Sequence, residues 1–254
     1  MIETIPLPSA NLRDIAVLLD IDGTILDIAP TPGAVIVPSS LRQTLRRLLR
    51  ETGGALALVS GRSLGDIDLL FAPLRLPAIG GHGAEVRPSP HDAVETEHAH
   101  PLDGGLRDRV SELAVGAPGV LVEDKGYSLA VHYRLAPEQE GRVKEAVAAI
   151  RADWPEQPIE VLPGKSVVEI KPAGFHKGAA IRELMKHEPF AGRRPIFVGD
   201  DTTDESAFAV MPEFAGLGFS VGRRMAGTAH CFAAPRDVRR WLERLSGGEG
   251  RRPR

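Results

Sequence analysis

The chain has 254 residues, of which 43% are hydrophobic, and it carries a formal net charge of -3. This length allows one large or two smaller globular domains, and the charge offers no global positive field for nucleic acid or an anionic membrane. A single cysteine, Cys231, excludes an intrachain disulfide bond. The N-terminus shows no signal peptide, and no apolar run approaches the ~20 residues of a membrane span, so we expect a soluble, cytoplasmic protein.

The first informative motif follows the apolar run 15–19, which is typical of a strand buried on both faces of a parallel sheet. Asp20-Ile21-Asp22-Gly23-Thr24 comes directly after it. Two carboxylates at positions i and i+2 point to the same side of a strand. Burying them is costly unless a cation compensates their charge, which favours a metal site. On the motif alone, a polar strand-to-loop cap is the alternative.

Three further apolar runs end in polar residues. Run 55–59 ends in Ser60-Gly61-Arg62, run 77–79 in the glycine-rich stretch 80–85, and run 196–198 in Gly199-Asp200-Asp201. A helical pattern lies between the first strand and the second, and strands that alternate with helices predict a parallel α/β sheet. Ligands of such sheets bind at the carboxyl ends of the strands, so we expect these polar clusters to converge on one site.

Residues 103–172 have a different spacing of apolar residues and turn signals, which predicts a helix, a hairpin, a second helix and a second hairpin. The two hairpin turns are predicted around Asp124-Lys125-Gly126 and Pro163-Gly164-Lys165. A block of this size is too long for a loop. We therefore predict an inserted cap domain between two segments of one core, residues 1–102 and 173–246. The Gly- and Arg-rich residues 247–254 are predicted to form a disordered tail.

The residue types at the strand ends suit phosphoryl transfer. Carboxylates of Asp20, Asp22, Asp200 and Asp201 form an oxygen-rich set of the kind that Mg²⁺ prefers. Ser60 and the glycine-rich turns can donate hydrogen bonds to phosphate oxygens, and Lys177 adds a positive charge. A nucleophilic carboxylate, a metal, a lysine and phosphate donors together indicate a reaction through an aspartyl-phosphate.

Four stretches, taken in order, resemble the motifs of the haloacid-dehalogenase (HAD) superfamily: 20–24, 60–62, 177–178 and 199–205. The last of these, Gly-Asp-Asp-Thr-Thr-Asp-Glu, resembles trehalose-6-phosphate phosphatases in particular. Stretches 81–85, 123–134 and 164–171 agree with that family, and the resemblance spans roughly residues 14–245. It implies a Rossmann-like parallel-sheet α/β core with an inserted α/β cap. It also implies a Mg²⁺-dependent phosphatase that converts trehalose 6-phosphate to trehalose and phosphate.

The resemblance also implies roles for individual residues. Asp20 would be the nucleophile, and Asp22 would be the general acid and then the general base. Mg²⁺ would be bound by the side chains of Asp20 and Asp200 and by the backbone carbonyl of Asp22, with Asp201 and Asp204 supporting these ligands. The phosphoryl group would be held by Gly23, Thr24, Ser60, Gly61 and Lys177. Substrate contacts or loop-ordering roles are implied for Arg62, His82 and Glu85 in the core segments, and substrate contacts for Glu123, Lys125, His132, Arg134, Lys165 and Glu169 in the cap.

Several alternatives stay open at this point. The charged hairpin residues could be a solvated sheet edge, and His82 could be structural. The substrate could be another sugar phosphate, such as sucrose 6-phosphate or mannosyl-3-phosphoglycerate. A non-catalytic sugar-phosphate sensor and a phosphomutase are further hypotheses. The expected partner is a small-molecule sugar phosphate, with no nucleic acid and no membrane, and with a possible functional coupling to a separate trehalose-6-phosphate synthase.

Overall fold

The computed structural model describes residues 5, 7, 9, 11–29, 35–92, 102–125, 127–164 and 166–247. The chain divides into two compact units. One unit, called the core unit below, comprises Met1–Glu95 and His176–Arg254. The other, called the cap unit, is Thr96–Phe175, so it is inserted within the sequence of the first. The predicted cap, residues 103–172, lies inside this second unit.

Eleven strands and seven helices are formed by the described residues. In chain order they are β1 Ile15–Leu19, α1 Ser39–Glu51, β2 Leu56–Val59, α2 Leu64–Phe71, β3 Ala78–Gly80, β4 Glu85–Arg87, α3 Gly104–Ser111, β5 Leu121–Asp124, β6 Leu129–His132, α4 Glu140–Asp153, β7 Ile159–Gly164, β8 Val167–Pro172, α5 Lys177–Leu184, β9 Arg194–Gly199, α6 Glu205–Val210, β10 Leu217–Val221, β11 Thr228–Phe232 and α7 Pro235–Gly247.

The core unit is a seven-stranded sheet in the order β11-β10-β9-β1-β2-β3-β4. Its strand pairs are parallel except for β3 and β4, which are antiparallel. Strand β1 lies at the centre, and all five of its residues are buried, as expected for a strand with helices on both faces. The structure thus confirms the predicted α/β core with a parallel sheet.

The alternation of side chains along β1 divides the core into two apolar layers. Ile15, Val17 and Leu19 belong to the layer that includes residues of α1 and α7. Ala16 and Leu18 belong to the opposite layer, which includes residues of α5 and α6. Because both layers are closed by helices, the sheet is left with only its strand ends for binding polar ligands.

The cap unit is a four-stranded antiparallel sheet in the order β5-β6-β8-β7. Its two hairpins are each preceded by a helix, which confirms the predicted helix-hairpin-helix-hairpin arrangement. Leu129, Val131 and Tyr133 pack in one apolar cluster with residues of α3 and α4. The opposite face of β6 therefore carries Ser128, Ala130 and His132, as the alternation predicts.

The structure adds elements that the periodicity does not reveal. Strand β4 and helices α2 and α6 are only three, eight and six residues long, so their patterns are too short to be recognised. Helix α7 includes Gly247, the first residue of the predicted tail, and residues 248–254 lie outside the described part of the chain. Among the described residues, no helix is both long enough and apolar enough to span a membrane.

An ion pair between a buried arginine and a half-buried aspartate joins α2 to the edge strand β4. Arg87 is 1% exposed and donates hydrogen bonds to both carboxylate oxygens of Asp68, at 2.6 and 2.8 Å. Burial raises the pKa of Asp68, but the hydrogen bonds and charge of Arg87 outweigh this and lower the pKa overall. The Arg87 guanidinium also donates to the carbonyl of Leu76, at 2.8 Å.

We expect Asp68→Asn to lower the free energy of unfolding by about 2 kcal/mol, because it leaves the Arg87 guanidinium buried without its counter-charge. Chemical denaturation of the variant measures this change. Asp108→Asn, an exposed aspartate on α3, is the matched control and should stay within about 0.5 kcal/mol of the parent. Equal stabilities of the two variants would contradict a stabilising role for the pair.

Candidate active site

Two carboxylates follow neighbouring strands at the same edge of the core sheet. Asp20 comes directly after β1, and Asp200 comes directly after β9. The two strands are parallel and in register, with Leu19 opposite Val198. The backbone N–H of Asp20 donates to the carbonyl of Val198 at 2.9 Å. The convergence of strand ends that the sequence predicts therefore occurs here.

Asp20, Asp200 and Asp204 form a compact acidic cluster. Carboxylate oxygens from the three residues lie within 4.8 Å of one another. The Thr24 hydroxyl lies within hydrogen-bond distance of two of these carboxylates, 2.9 Å from Asp20 Oδ2 and 3.2 Å from Asp200 Oδ1. Gly23 has a φ of +85°, and a Cβ there would lie 2.1 Å from Asp200 Oδ2. Only glycine therefore allows the turn after β1 to approach Asp200 this closely.

Asp204 enters the cluster through a tight turn after β9. Its Oδ2 accepts the backbone N–H groups of Asp200 and Asp201, at 2.8 and 3.0 Å. The side chain of Asp201 instead accepts the N–H of Thr202 at 2.7 Å, and with Asp204 it forms a reciprocal cap of the 3-10 turn Thr202–Asp204. Asp204 thus orders the loop that presents Asp200, and the Asp201 side chain shapes the same turn.

Lys177 is the buried cation of the site. It is the first residue of α5 and is 3% exposed. Its Nζ donates to Asp20 Oδ1 at 2.7 Å and to Asp204 Oδ1 at 2.6 Å. Burial lowers the pKa of Lys177, but the charges of Asp20 and Asp204 outweigh this and raise the pKa overall. The lysine is therefore held in its charged form between the two carboxylates.

One lysine does not balance three carboxylates. Burial raises the pKa of Asp20, and the charges of Asp204 and Asp200 add to this although Lys177 opposes it. Burial and the charge of Asp204 raise the pKa of Asp200 to about 6. A set of oxygen ligands with surplus negative charge fits a hard divalent cation. The chemistry of the donor set thus supports a divalent metal site at Asp20 and Asp200.

The pKa of Asp200 leads to a pH-dependent stability in the metal-free protein. Because the folded state holds this proton more tightly than the unfolded chain, stability falls as pH rises from about 4 to about 6. We expect Asp200→Asn to be more stable than the parent by about 3 kcal/mol above about pH 6, with the difference vanishing near pH 4. Urea denaturation in the presence of a chelator measures both. A difference in stability between Asp200→Asn and the parent that does not change with pH would contradict a raised pKa at Asp200.

Ser60, which follows β2, has its polar groups fixed by the adjacent chain. Ser60 is 2% exposed, and its hydroxyl oxygen accepts the N–H of Arg62 at 3.1 Å. The carbonyl of Ser60 accepts the N–H of His82 at 3.0 Å. The buried imidazole of His82 lies against Gly61, where an added Cβ would be 2.2 Å from Nε2. His82 itself has a left-handed backbone conformation, with φ of +55°.

The side chains of Asp22, Arg62 and Glu85 make contacts within the core unit. Arg62 donates through Nε to Asp22 Oδ2 at 2.6 Å and through Nη2 to Asp22 Oδ1 at 2.8 Å. Glu85 Oε2 accepts the backbone N–H of Leu64 at 2.7 Å. Burial raises the pKa of Glu85, and the hydrogen bond from Leu64 opposes this. The predicted phosphate donor Gly23 uses its N–H within the turn, to the carbonyl of Leu26.

In the cap unit, predicted site residues gather on one face of the sheet. His132 Nε2 lies 2.8 Å from Glu123 Oε2. Glu169 Oε1 lies 3.5 Å from Lys125 Nζ and accepts the Ser128 hydroxyl at 2.5 Å. Glu123 and Glu169 flank Ala130 from the two neighbouring strands. The structure thus forms two small polar groups on this face.

Two further cap residues, Arg134 and Lys165, are predicted as substrate contacts. Arg134 follows the end of β6, and Lys165 lies outside the described residues. Ser128, which donates to Glu169, is not among the predicted site residues. Its position two residues before Ala130 on the polar face is the signal that could have found it.

Comparison with known proteins agrees with this architecture. The family model for trehalose-phosphatase matches residues 18–233. The chain belongs to the trehalose-phosphatase family. It is 40% identical to the trehalose-6-phosphate phosphatase of Escherichia coli over 230 residues, which cover 89% of this chain and 85% of that protein. It is 44% identical to a probable trehalose-phosphate phosphatase of Sinorhizobium fredii over 221 residues, which cover 84% of this chain and 80% of that protein.

The solved structures extend the likeness to the fold. The C-terminal domain of the Candida albicans trehalose-6-phosphate phosphatase superposes with a TM-score of 0.81 at 20% identity, covering 96% of this chain and 99% of that one. The match of the trehalose-phosphatase family includes Asp20, Lys177 and Asp200 within residues 18–233. Membership in this family and the HAD-like fold with a cap are therefore confirmed.

Proposed function

We propose that this protein is a Mg²⁺-dependent phosphatase that hydrolyses trehalose 6-phosphate to trehalose and phosphate. The observation that carries the proposal is the pairing of Asp20 with Lys177 beside Asp200, in a chain that belongs to the trehalose-phosphatase family. A binding module would need neither a buried carboxylate nucleophile nor a lysine to neutralise phosphoryl charge.

Asp20 is the proposed nucleophile. One of its oxygens is held by Lys177 and the other by Thr24, which fixes the plane of the carboxylate. Its attack on phosphorus would form an aspartyl-phosphate and release the sugar oxygen. Asp22 would give a proton to that oxygen, and it would then take a proton from the water that hydrolyses the intermediate. Both roles follow from the positions of these aspartates in the family motif.

Mg²⁺ is the proposed metal, held by the side chains of Asp20 and Asp200 and by the backbone carbonyl of Asp22. When bound, the ion would supply positive charge to the phosphoryl oxygens. Asp204 supports this site because it accepts the N–H of Asp200, and Asp201 supports it by capping the same turn.

Other residues of the core unit are proposed to hold the phosphoryl group. Ser60 and Lys177 would donate hydrogen bonds to its oxygens, and roles for Gly23, Thr24 and Gly61 in binding it stay predictions. Contacts of the sugar with Arg62, His82, Glu85, Glu123, Lys125, His132, Arg134, Lys165 and Glu169 stay predictions. A cytoplasmic location and coupling to a separate synthase stay predictions as well.

A phosphate-release panel tests the proposed function. Purified protein with Mg²⁺ is given trehalose 6-phosphate, sucrose 6-phosphate and mannosyl-3-phosphoglycerate at equal concentrations. We expect the largest kcat/KM for trehalose 6-phosphate, and release of free trehalose together with phosphate. Addition of a chelator should abolish turnover, and added Mg²⁺ should restore it. A larger kcat/KM for another sugar phosphate would overturn the substrate, and phosphate transfer to a second sugar would favour a mutase.

A further inference from the structure

The side chains of Arg62 and Asp22 form a bidentate ion pair across 40 residues of sequence. Both guanidinium donors on one edge of Arg62 reach both oxygens of Asp22, at 2.6 and 2.8 Å. The Arg62 side chain is 14% exposed and the Asp22 side chain is 35% exposed. A planar fork on a planar carboxylate fixes the orientation of the carboxylate as well as its position.

The backbone of Arg62 is anchored on each side of the residue. Its N–H donates to the hydroxyl oxygen of Ser60 at 3.1 Å, and its carbonyl accepts the N–H of Gly81 at 2.9 Å. Two residues later, the N–H of Leu64 donates to Glu85 at 2.7 Å. The backbone that carries the guanidinium is therefore held from the ends of β2 and β3 and from β4, which are rigid parts of the core sheet.

We propose that Arg62 is a positioning residue that acts through Asp22, in place of the sugar contact or loop-ordering role predicted for it. This inference rests on the proposed function, in which Asp22 moves protons. In the first step, the Asp22 proton passes to the sugar oxygen while the bond from phosphorus to that oxygen breaks and the bond to Asp20 forms. This leaves Asp22 as a carboxylate, which is the form whose two oxygens accept from the Arg62 fork in the structure. In the second step, Asp22 takes a proton from water. The water oxygen bonds to phosphorus while the bond from phosphorus to Asp20 breaks.

The dependence on the leaving group distinguishes this role from a structural one. A sugar alkoxide leaves only with a proton, whereas p-nitrophenolate leaves without one. We expect Arg62→Lys, which keeps the charge and loses the fork, to lower kcat/KM for trehalose 6-phosphate about a hundredfold. The loss for p-nitrophenyl phosphate should be under about threefold. Because both rates come from one preparation, a lower folded fraction would change them equally and leave their ratio unaltered.

A double-mutant cycle distinguishes positioning of Asp22 from contact with the sugar. If Arg62 acts through Asp22, Arg62→Lys should cost less than about threefold in the Asp22→Asn background. The KM for trehalose 6-phosphate should also stay within about threefold of the parent value. A full hundredfold loss in the Asp22→Asn background, or a loss confined to KM, would overturn the proposal. Arg46→Lys, an exposed arginine on α1, is the matched control and should leave both substrates unaffected.

The two levels of the proposal can fail separately. If trehalose 6-phosphate is not turned over, the proposed substrate is wrong. The same cycle then runs on whichever alkyl phosphate the parent protein hydrolyses. Equal losses for that alkyl phosphate and for p-nitrophenyl phosphate would overturn the role of Arg62, whatever the natural substrate.

Discussion

Asp20→Asn is expected to abolish phosphatase activity, with a fall in kcat of about ten-thousandfold or more. An amide cannot form the bond to phosphorus that the proposed mechanism requires. Asparagine keeps one oxygen to accept from Lys177, and its NH2 group can donate to the Thr24 hydroxyl oxygen, so the geometry around it should be preserved. Phosphate release from trehalose 6-phosphate under saturating substrate measures the effect.

The stability of the same variant separates lost chemistry from lost structure. Burial raises the pKa of Asp20, so the charged carboxylate is held at a cost in the metal-free protein. Asp20→Asn should therefore be at least as stable as the parent in thermal denaturation without metal. Asp108→Asn, on the exposed side of α3, should change neither activity nor stability. Activity that survives Asp20→Asn would show that the covalent route is wrong.

Lys177→Met should have the second largest effect, because it removes the cation that two buried carboxylates share. Asp20 is 5% exposed and Asp204 is fully buried. Leaving them without a counter-charge should lower the free energy of unfolding by about 3 kcal/mol or more. The loss of a donor to the phosphoryl group should also lower kcat about a thousandfold. Denaturation curves and phosphate release measure the two losses.

A second variant separates the effect of Lys177 on stability from its effect on activity. Lys177→Met combined with Asp204→Asn removes one of the stranded charges, so we expect it to recover much of the lost stability. Activity should stay low, since the phosphoryl group still lacks its lysine. Recovery of activity together with stability would show that Lys177 is only a structural counter-ion.

The sequence predicts most of the architecture because the relevant signals are local. Buried runs such as Ile15–Leu19 end directly in the residues that meet at the sheet edge, so strand ends and site residues are predicted together. The cap hairpins are likewise indicated by a glycine near each turn, although Gly164 is the last residue of β7, and by alternation along β6. The alternation on β6 also predicts correctly which side chains face away from α3 and α4.

The contacts that the sequence could not predict depend on how distant segments pack. The fork of Arg62 meets Asp22 only because the loop after β2 lies beside the turn after β1. The resemblance implies that Asp204 supports the metal ligands, but its hydrogen bond with Lys177 depends on a 3-10 turn that folds it back onto β9. Arg87 is a charged residue, and no apolar pattern predicts that it is buried. It is buried because Asp68, on another element, neutralises its charge. None of these pairings leaves a periodic signal in the chain.

Detection of the covalent intermediate tests the central claim most directly. The protein is mixed with Mg²⁺ and trehalose 6-phosphate, quenched in acid within the first turnover, digested and analysed by mass spectrometry. We predict a single phosphoryl group on the peptide that contains Asp20, with free trehalose released in equal amount, and no phosphopeptide from Asp20→Asn. Trehalose release in the first turnover without any phosphoryl group on Asp20, or a phosphoryl group on a different residue, would contradict the account.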